Sequence, residues 1–121
     1  MTDTERLNAL FEPFGPVSVR RMFGGAGIYS DDLCFGIESD GEVYIKVDAD
    51  TQAAFEAAGS RPFVYMILGK PKSMAFWLLV AEAHDDPDAL RRYAALGLDA
   101  ARRAAAAKAK RGEAKPKRGR A

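Results

Sequence analysis

The pattern that most restricts this 121-residue chain is an alternation of apolar and polar residues between Val17 and Val47. Val17 and Val19 open it. Leu33, Phe35 and Ile37 then fall on one face of an extended segment, and Val43, Ile45 and Val47 on one face of the next. A period of two is the repeat of a β-strand that buries one side. Asp31-Asp32 interrupts the pattern after Ile28-Tyr29, and Asp40-Gly41 interrupts it after Ile37. Asp-Gly accepts the positive φ angles that a tight hairpin demands. The segment is therefore expected to form a meander of three antiparallel strands.

A meander with one apolar face needs a cover, and the flanking sequence supplies amphipathic helices. Leu7, Leu10, Phe11 and Phe14 lie at i, i+3, i+4 and i+7, behind a capping-box spacing from Thr2 to Glu5. Pro13 and Gly15-Pro16 end that helix. A second helix is expected through Ala53–Ala58, with Asp48 or Asp50 as its cap and Gly59 at C′. Two more strands follow, Phe63–Leu68 and Met74–Val80, joined by a turn at Gly69-Lys70-Pro71-Lys72. Both are apolar on both faces, which predicts central or covered positions. Asp86-Pro87 opens a third helix whose packing stripe is Leu90, Tyr93, Ala94, Gly97 and Ala101. Glycine inside a helix costs about 1 kcal/mol against alanine, so Gly97 is expected to mark a close approach to another element. The order is α-βββ-α-ββ-α, and the fold class is an α+β two-layer sandwich with an antiparallel five-stranded sheet.

The net charge of +1 conceals an asymmetry. From Arg102 to Ala121 there are nine Lys/Arg and one acid, leaving +8; the first 101 residues hold nine bases and sixteen acids, leaving −7. The division predicted is a folded domain over residues 1–105 and a basic, disordered tail over 106–121, too poor in apolar residues to build a core. A lysine-rich tail attracts phosphates without sequence preference. It has no aromatic residue for base stacking. No apolar run is long enough to cross a bilayer, and the N-terminus lacks a basic n-region. With a single cysteine, Cys34, the expected setting is the cytoplasm.

No catalytic constellation emerges. His84 is the only histidine and is read as a loop residue before a helix cap. Cys34 has no adjacent base to lower its pKa. The carboxylates Asp86 and Asp88 suit a helix N-terminus better than a metal. Gly24-Gly25-Ala26-Gly27 is followed by strand and turn residues instead of a helix, so it is read as a bend or bulge and not as a phosphate loop. No enzyme and no cofactor is expected.

Taken together, several blocks resemble the N-terminal domain of the TfoX family, bacterial regulators linked to natural competence. They are Arg21-Met22-Phe23-Gly24-Gly25-Ala26-Gly27-Ile28-Tyr29, then Val43-Tyr44-Ile45-Lys46-Val47-Asp48, then Phe63-Val64-Tyr65 and Met74-Ala75-Phe76-Trp77. The resemblance covers about residues 5 to 105. It implies a secretion-chaperone-like two-layer fold and transcriptional regulation through other proteins, without catalysis.

Two kinds of contact are expected. One is with a protein partner or a second copy of the chain, on the sheet face that the helices leave uncovered, where Tyr44, Lys46 or Trp77 is placed to serve. Arg20, Arg21 and Lys46 are the candidate partner or anion contacts. The other is weak, nonspecific nucleic-acid binding through Lys108, Lys110, Arg111, Lys115, Lys117, Arg118 and Arg120.

Overall fold

The computed structural model describes residues 3–22 and 25–114. Its elements run α1 (Asp3–Leu10), β1 (Ser18–Met22), β2 (Gly25–Ser30), β3 (Leu33–Ser39), β4 (Glu42–Lys46), α2 (Gln52–Ala57), β5 (Pro62–Ile67), β6 (Lys70–Leu78), α3 (Ala81–Asp85) and α4 (Pro87–Ala114). The strands form one antiparallel sheet in the order β1-β2-β3-β4-β6-β5. The α+β class and the antiparallel sheet agree with the sequence reading. The strand count does not: there are six strands among the described residues instead of five.

The extra strand comes from the glycine block. Gly25, Ala26 and Gly27 lie inside β2, with Met22 opposite Gly25 on β1. A Gly-Ala-Gly run carries no apolar alternation, so period-two reading passes over it. The glycine has a steric role: a Cβ at Gly25 would run into the Glu38 carbonyl of β3. Gly24, like Thr2 of the expected capping box, lies outside the described residues.

One cluster holds the layers together. Leu7 and Phe11 from the first helical segment, Phe55 of α2, Ala83 of α3 and the α4 stripe through Leu90, Tyr93, Ala94 and Ala101 pack with Ile28, Phe35, Ile45 and Leu79 of the sheet side. Phe11 meets Phe35 edge-on at 5.4 Å and Phe55 meets Tyr93 at 5.1 Å. Asn8 ties α1 to the start of the sheet, because its amide donates to the Val17 carbonyl at 3.0 Å and accepts from the Val17 N–H at 2.8 Å. Such buried apolar contacts supply most of the stabilisation of short helices like these.

Capping follows the sequence closely. Asp86 Oδ1 accepts the N–H groups of Asp88 and Ala89 at the head of α4, with Pro87 in the first helical position. Gly59 has φ +81 after α2; its N–H reaches the Glu56 carbonyl and the Ser60 N–H reaches that of Phe55, the paired bonds of a Schellman end. At the other end of α2 the N-cap is Thr51. Asp48 instead folds the preceding loop, accepting from the Asp50 N–H at 3.0 Å.

Three expectations are corrected. The β5–β6 hairpin turns at Leu68-Gly69, with φ +52 and +77 and Ile67 opposite Lys70, not at residues 69–72. A leucine in the left-handed region leaves no sequence signal. Strand β5 is an edge and not a covered strand. His84 belongs to the short helix α3, which forms because Ala83 seats in the core cluster. Helix α4 continues to Ala114, past residue 105.

Gly97 meets its expectation. A Cβ there would lie 2.5 Å from Ile45 Cγ2 and 3.0 Å from the Phe35 carbonyl oxygen. Gly97→Ala is therefore expected to destabilise the fold by about 1–2 kcal/mol, overpacking exceeding the gain in helix propensity. Urea denaturation of both proteins measures it, and equal or greater stability of the alanine variant would show that α4 can retreat at no cost.

Candidate interaction surface

The two faces of the sheet differ because of one bulge. Ile28 pairs with Gly36 but Tyr29 pairs with Cys34, so Phe35 is an extra residue in β3. Phe35 and Gly36 consequently both turn toward the helices, where Phe35 is fully buried and a Cβ on Gly36 would contact Ile28 and Ile45. Beyond the bulge the alternation is inverted. Glu38 turns inward to Arg6 of α1 at 2.5 Å, and Ile37, opposite Tyr44, turns outward. Ile37 thus leaves the face that Leu33 and Phe35 share.

The outward face is apolar and partly roofed. Phe63 of β5 packs edge-on against Tyr44 at 4.9 Å, and Tyr65 stacks on Phe63 at 6.2 Å. The β5–β6 register shifts between Pro62 and Val64. That irregularity bends the hairpin so that Phe63, Tyr65 and Met74 share one groove with Gly25, Ile37 and Ser39 of the opposite half of the sheet. The groove encloses about 420 Å³. Beyond it the hairpin leaves Val64, Met66, Ile67 and Leu68 exposed, Leu68 almost completely at 96%.

The expected contact residues divide between the faces. Arg20 lies on the outer side, its guanidinium 4.3 Å from the centre of the Tyr29 ring. Lys46 lies there too, 5.1 Å from the Phe76 ring. Arg21, one residue along the strand from Arg20, points to the helix side and meets Asp3 at 2.8 Å. The two arginines therefore form no joint anion clamp. Tyr44 is on the outer face, whereas Trp77, opposite Ile45, packs against the helical core. The charged cleft around Arg6 and Arg21 is internally matched, since Asp3 and Glu38 answer both.

The basic end of the chain is partly occupied as well. Arg102 reaches Asp31 at 3.0 Å, and Arg103 holds Asp48 through Nε at 2.7 Å and Nη2 at 3.2 Å. These residues, grouped with the tail on sequence alone, fasten α4 to two loops of the domain. From Arg102 to Lys110 every residue is exposed, so Lys108 and Lys110 stand on helix beyond the core. Arg111 falls on the same helix; Lys115, Lys117, Arg118 and Arg120 lie outside the described residues. Cys34 is half-buried and its thiol donates to the Gly36 carbonyl at 3.3 Å. His84 is exposed on α3. Among the described residues no three His, Cys, Asp or Glu are grouped to hold a metal ion, and no helix is long and apolar enough to cross a membrane.

Comparison with known proteins places this architecture. The family model described as "TfoX N-terminal domain" matches residues 9–101. The chain belongs to the TfoX N-terminal domain family. The matched span takes in the sheet, the bulge and the core half of α4, and it stops where the arginine fastening begins. A relative named "DNA transformation protein TfoX1", from Aliivibrio fischeri, is 31% identical over 62 residues. The alignment covers 51% of this chain and 30% of that protein, so the TfoX N-terminal-like chain spans about a third of the relative's length.

Sequence reasoning missed the groove. Ile37 was placed on the wrong face by the bulge, and Phe63 and Met74 read as buried strand positions. The one available signal was the stretch from Pro62 to Gly69, eight residues without a charge.

The Arg103 hydrogen bond is the main reason the Asp48 carboxyl is held below its ordinary value. A carboxylate depressed in this way stabilises the fold above its unfolded pKa and loses that contribution as pH falls through the folded one. Arg103→Ala should lower stability near neutral pH, and the difference from the native chain should shrink as pH falls through the lowered Asp48 pKa. Urea denaturation across that range reads it; a deficit independent of pH would place the loss in packing instead.

Proposed function

We propose that this chain is a non-enzymatic regulatory adapter in a transformation-related pathway, acting on transcription through protein contacts. The observation that carries the reading is the apolar groove on the outer sheet face. All four helices among the described residues contribute to the core cluster on the other face. The outer face keeps Ile37, Phe63, Tyr65 and Met74 around a cleft whose size suits a few inserted side chains. Apolar surface of this kind, bordered by polar residues, is typical of protein contact sites. Membership of the family, and a relative named for DNA transformation, supply the pathway.

Met74→Glu puts a charge in the groove at a residue already partly exposed. In the cell that carries the gene, natural transformation frequency should fall as far as it does on deletion, with thermal unfolding of the purified variant unchanged within a few degrees. An unaffected deletion strain would sink the pathway assignment. A deletion phenotype that Met74→Glu fails to reproduce would sink the groove.

A second reading rests on a separate observation, the exposed Lys108 and Lys110 on the part of α4 beyond the core. In this reading the basic end anchors the domain on nucleic acid. Seven bases from Lys108 onward predict a log–log salt dependence with a slope of up to about 6. Fluorescence anisotropy with duplex DNA should show binding by the full chain and none by a chain ending at Arg103. Equal binding by both would remove the basic end from the account.

A further inference from the structure

The groove leaves one feature of the hairpin unexplained: its apolar residues point both ways. Phe63, Tyr65 and Ile67 lie on one side of β5, and Val64 and Met66 lie on the other. All four from Val64 to Ile67 are exposed, Met66 at 64%. A partner resting on either surface would cover only half of them. Addition of a further strand covers both, because cross-strand neighbours alternate over the two faces.

The backbone points the same way. Strand β5 ends the sheet, so one side of it faces no strand among the described residues. Edge strands in monomers are normally blunted by charge, a bulge within the strand or proline. From Val64 to Ile67 there is none of these; Pro62 and the register shift at Phe63 stand at the start of the strand.

The occupant is argued from charge and symmetry. Between Glu56 and Glu82 the chain has three bases, Arg61, Lys70 and Lys72, and no acid; the other residues up to Ala101 hold six bases and sixteen acids. A hairpin of +3 thus projects from a body of −10. Two copies related by a two-fold axis through the edge would run their β5 strands antiparallel. Tyr65 would face Tyr65 of the second copy, Phe63 its Ile67, and Val64 its Met66. No like charges stand directly opposite in that register: Arg61 would lie across from Gly69 and Lys70 across from Ser60, while Lys72 sits one strand away on β6. The same arrangement carries the lysine-bearing tip of each hairpin toward the body of the other copy, whose residues up to Ala101 outside the hairpin sum to −10.

We infer that β5 is a homodimer edge, where two copies of this chain join their sheets antiparallel about Tyr65. This goes beyond the adapter reading, which uses the outer face and not the edge, and its test does not involve transformation.

Sedimentation velocity of the full chain over a range of concentrations is the experiment, with Met66→Lys and Val64→Lys beside it. Both residues are exposed, so circular dichroism of the variants should match the native chain. The native chain should sediment as a dimer, and each lysine should raise the dissociation constant by about tenfold or more. Tyr65→Cys in a Cys34→Ser background should cross-link to itself on mild oxidation, since opposed residues in an antiparallel pair lie within disulfide reach. Lys72→Cys should not. A native chain that stays monomeric at about 0.2 mM, weaker than any dissociation constant of use in a cell, overturns the inference. So does a dimer indifferent to both lysines, or one in which Tyr65→Cys fails to cross-link.

Discussion

Where α4 crosses β3 and β4, its backbone comes close enough to Ile45 and to the Phe35 carbonyl that only glycine fits at position 97. The covered half of the molecule refers to that crossing. The head of α4, capped by Asp86, carries Tyr93 against Phe55 of α2 and shares the cluster with Ala83 of α3. Past the crossing, Arg102 and Arg103 take hold of the β2–β3 turn and the loop before α2. With every described helix on one side, the other side of the sheet is left to the β5–β6 hairpin.

The bulge at Phe35 is the second determinant, and it works in concert with the first. Two successive inward residues let a large ring and a glycine share the core beneath α4, where the space allowed by Gly97 is smallest. The inversion that follows places a buried carboxylate, Glu38, beneath Arg6, and places an isoleucine outside. A regular strand with the same composition would have buried Ile37 and exposed Glu38, and the outer groove would have no floor.

How much of this was legible depends on the kind of signal each element gives. Caps and C-termini were read correctly at Asp86-Pro87 and Gly59, because the chemistry there is local to a few residues. The hairpin turns at Asp31-Asp32 and Asp40-Gly41 were visible for the same reason, and all four residues have positive φ. The turn at Leu68-Gly69 was not, since leucine has no preference for that conformation. The glycine-rich β2 was missed for want of side chains to alternate. The outer groove was invisible because an extra residue in one strand reverses faces without altering composition. The edge position of β5 could not be read from its apolar character, which is shared by central strands; only its lack of a neighbour distinguishes it.

The exposed length of α4 has a mechanical side. From Arg102 the helix leaves the core but keeps its hydrogen bonding through Ala114, a run of about 20 Å at 1.5 Å per residue. Its root is clamped on both flanks by Arg102 and Arg103, so it behaves as a spoke of fixed direction and not as a tether. Each residue of such a spoke sets a bearing as well as a distance. Loss of one alanine between Ala104 and Ala107 would shorten it slightly but swing everything carried at its far end by about 100° around the helix axis. The alanines there are exposed, yet their number decides which way Lys108 and Lys110 look.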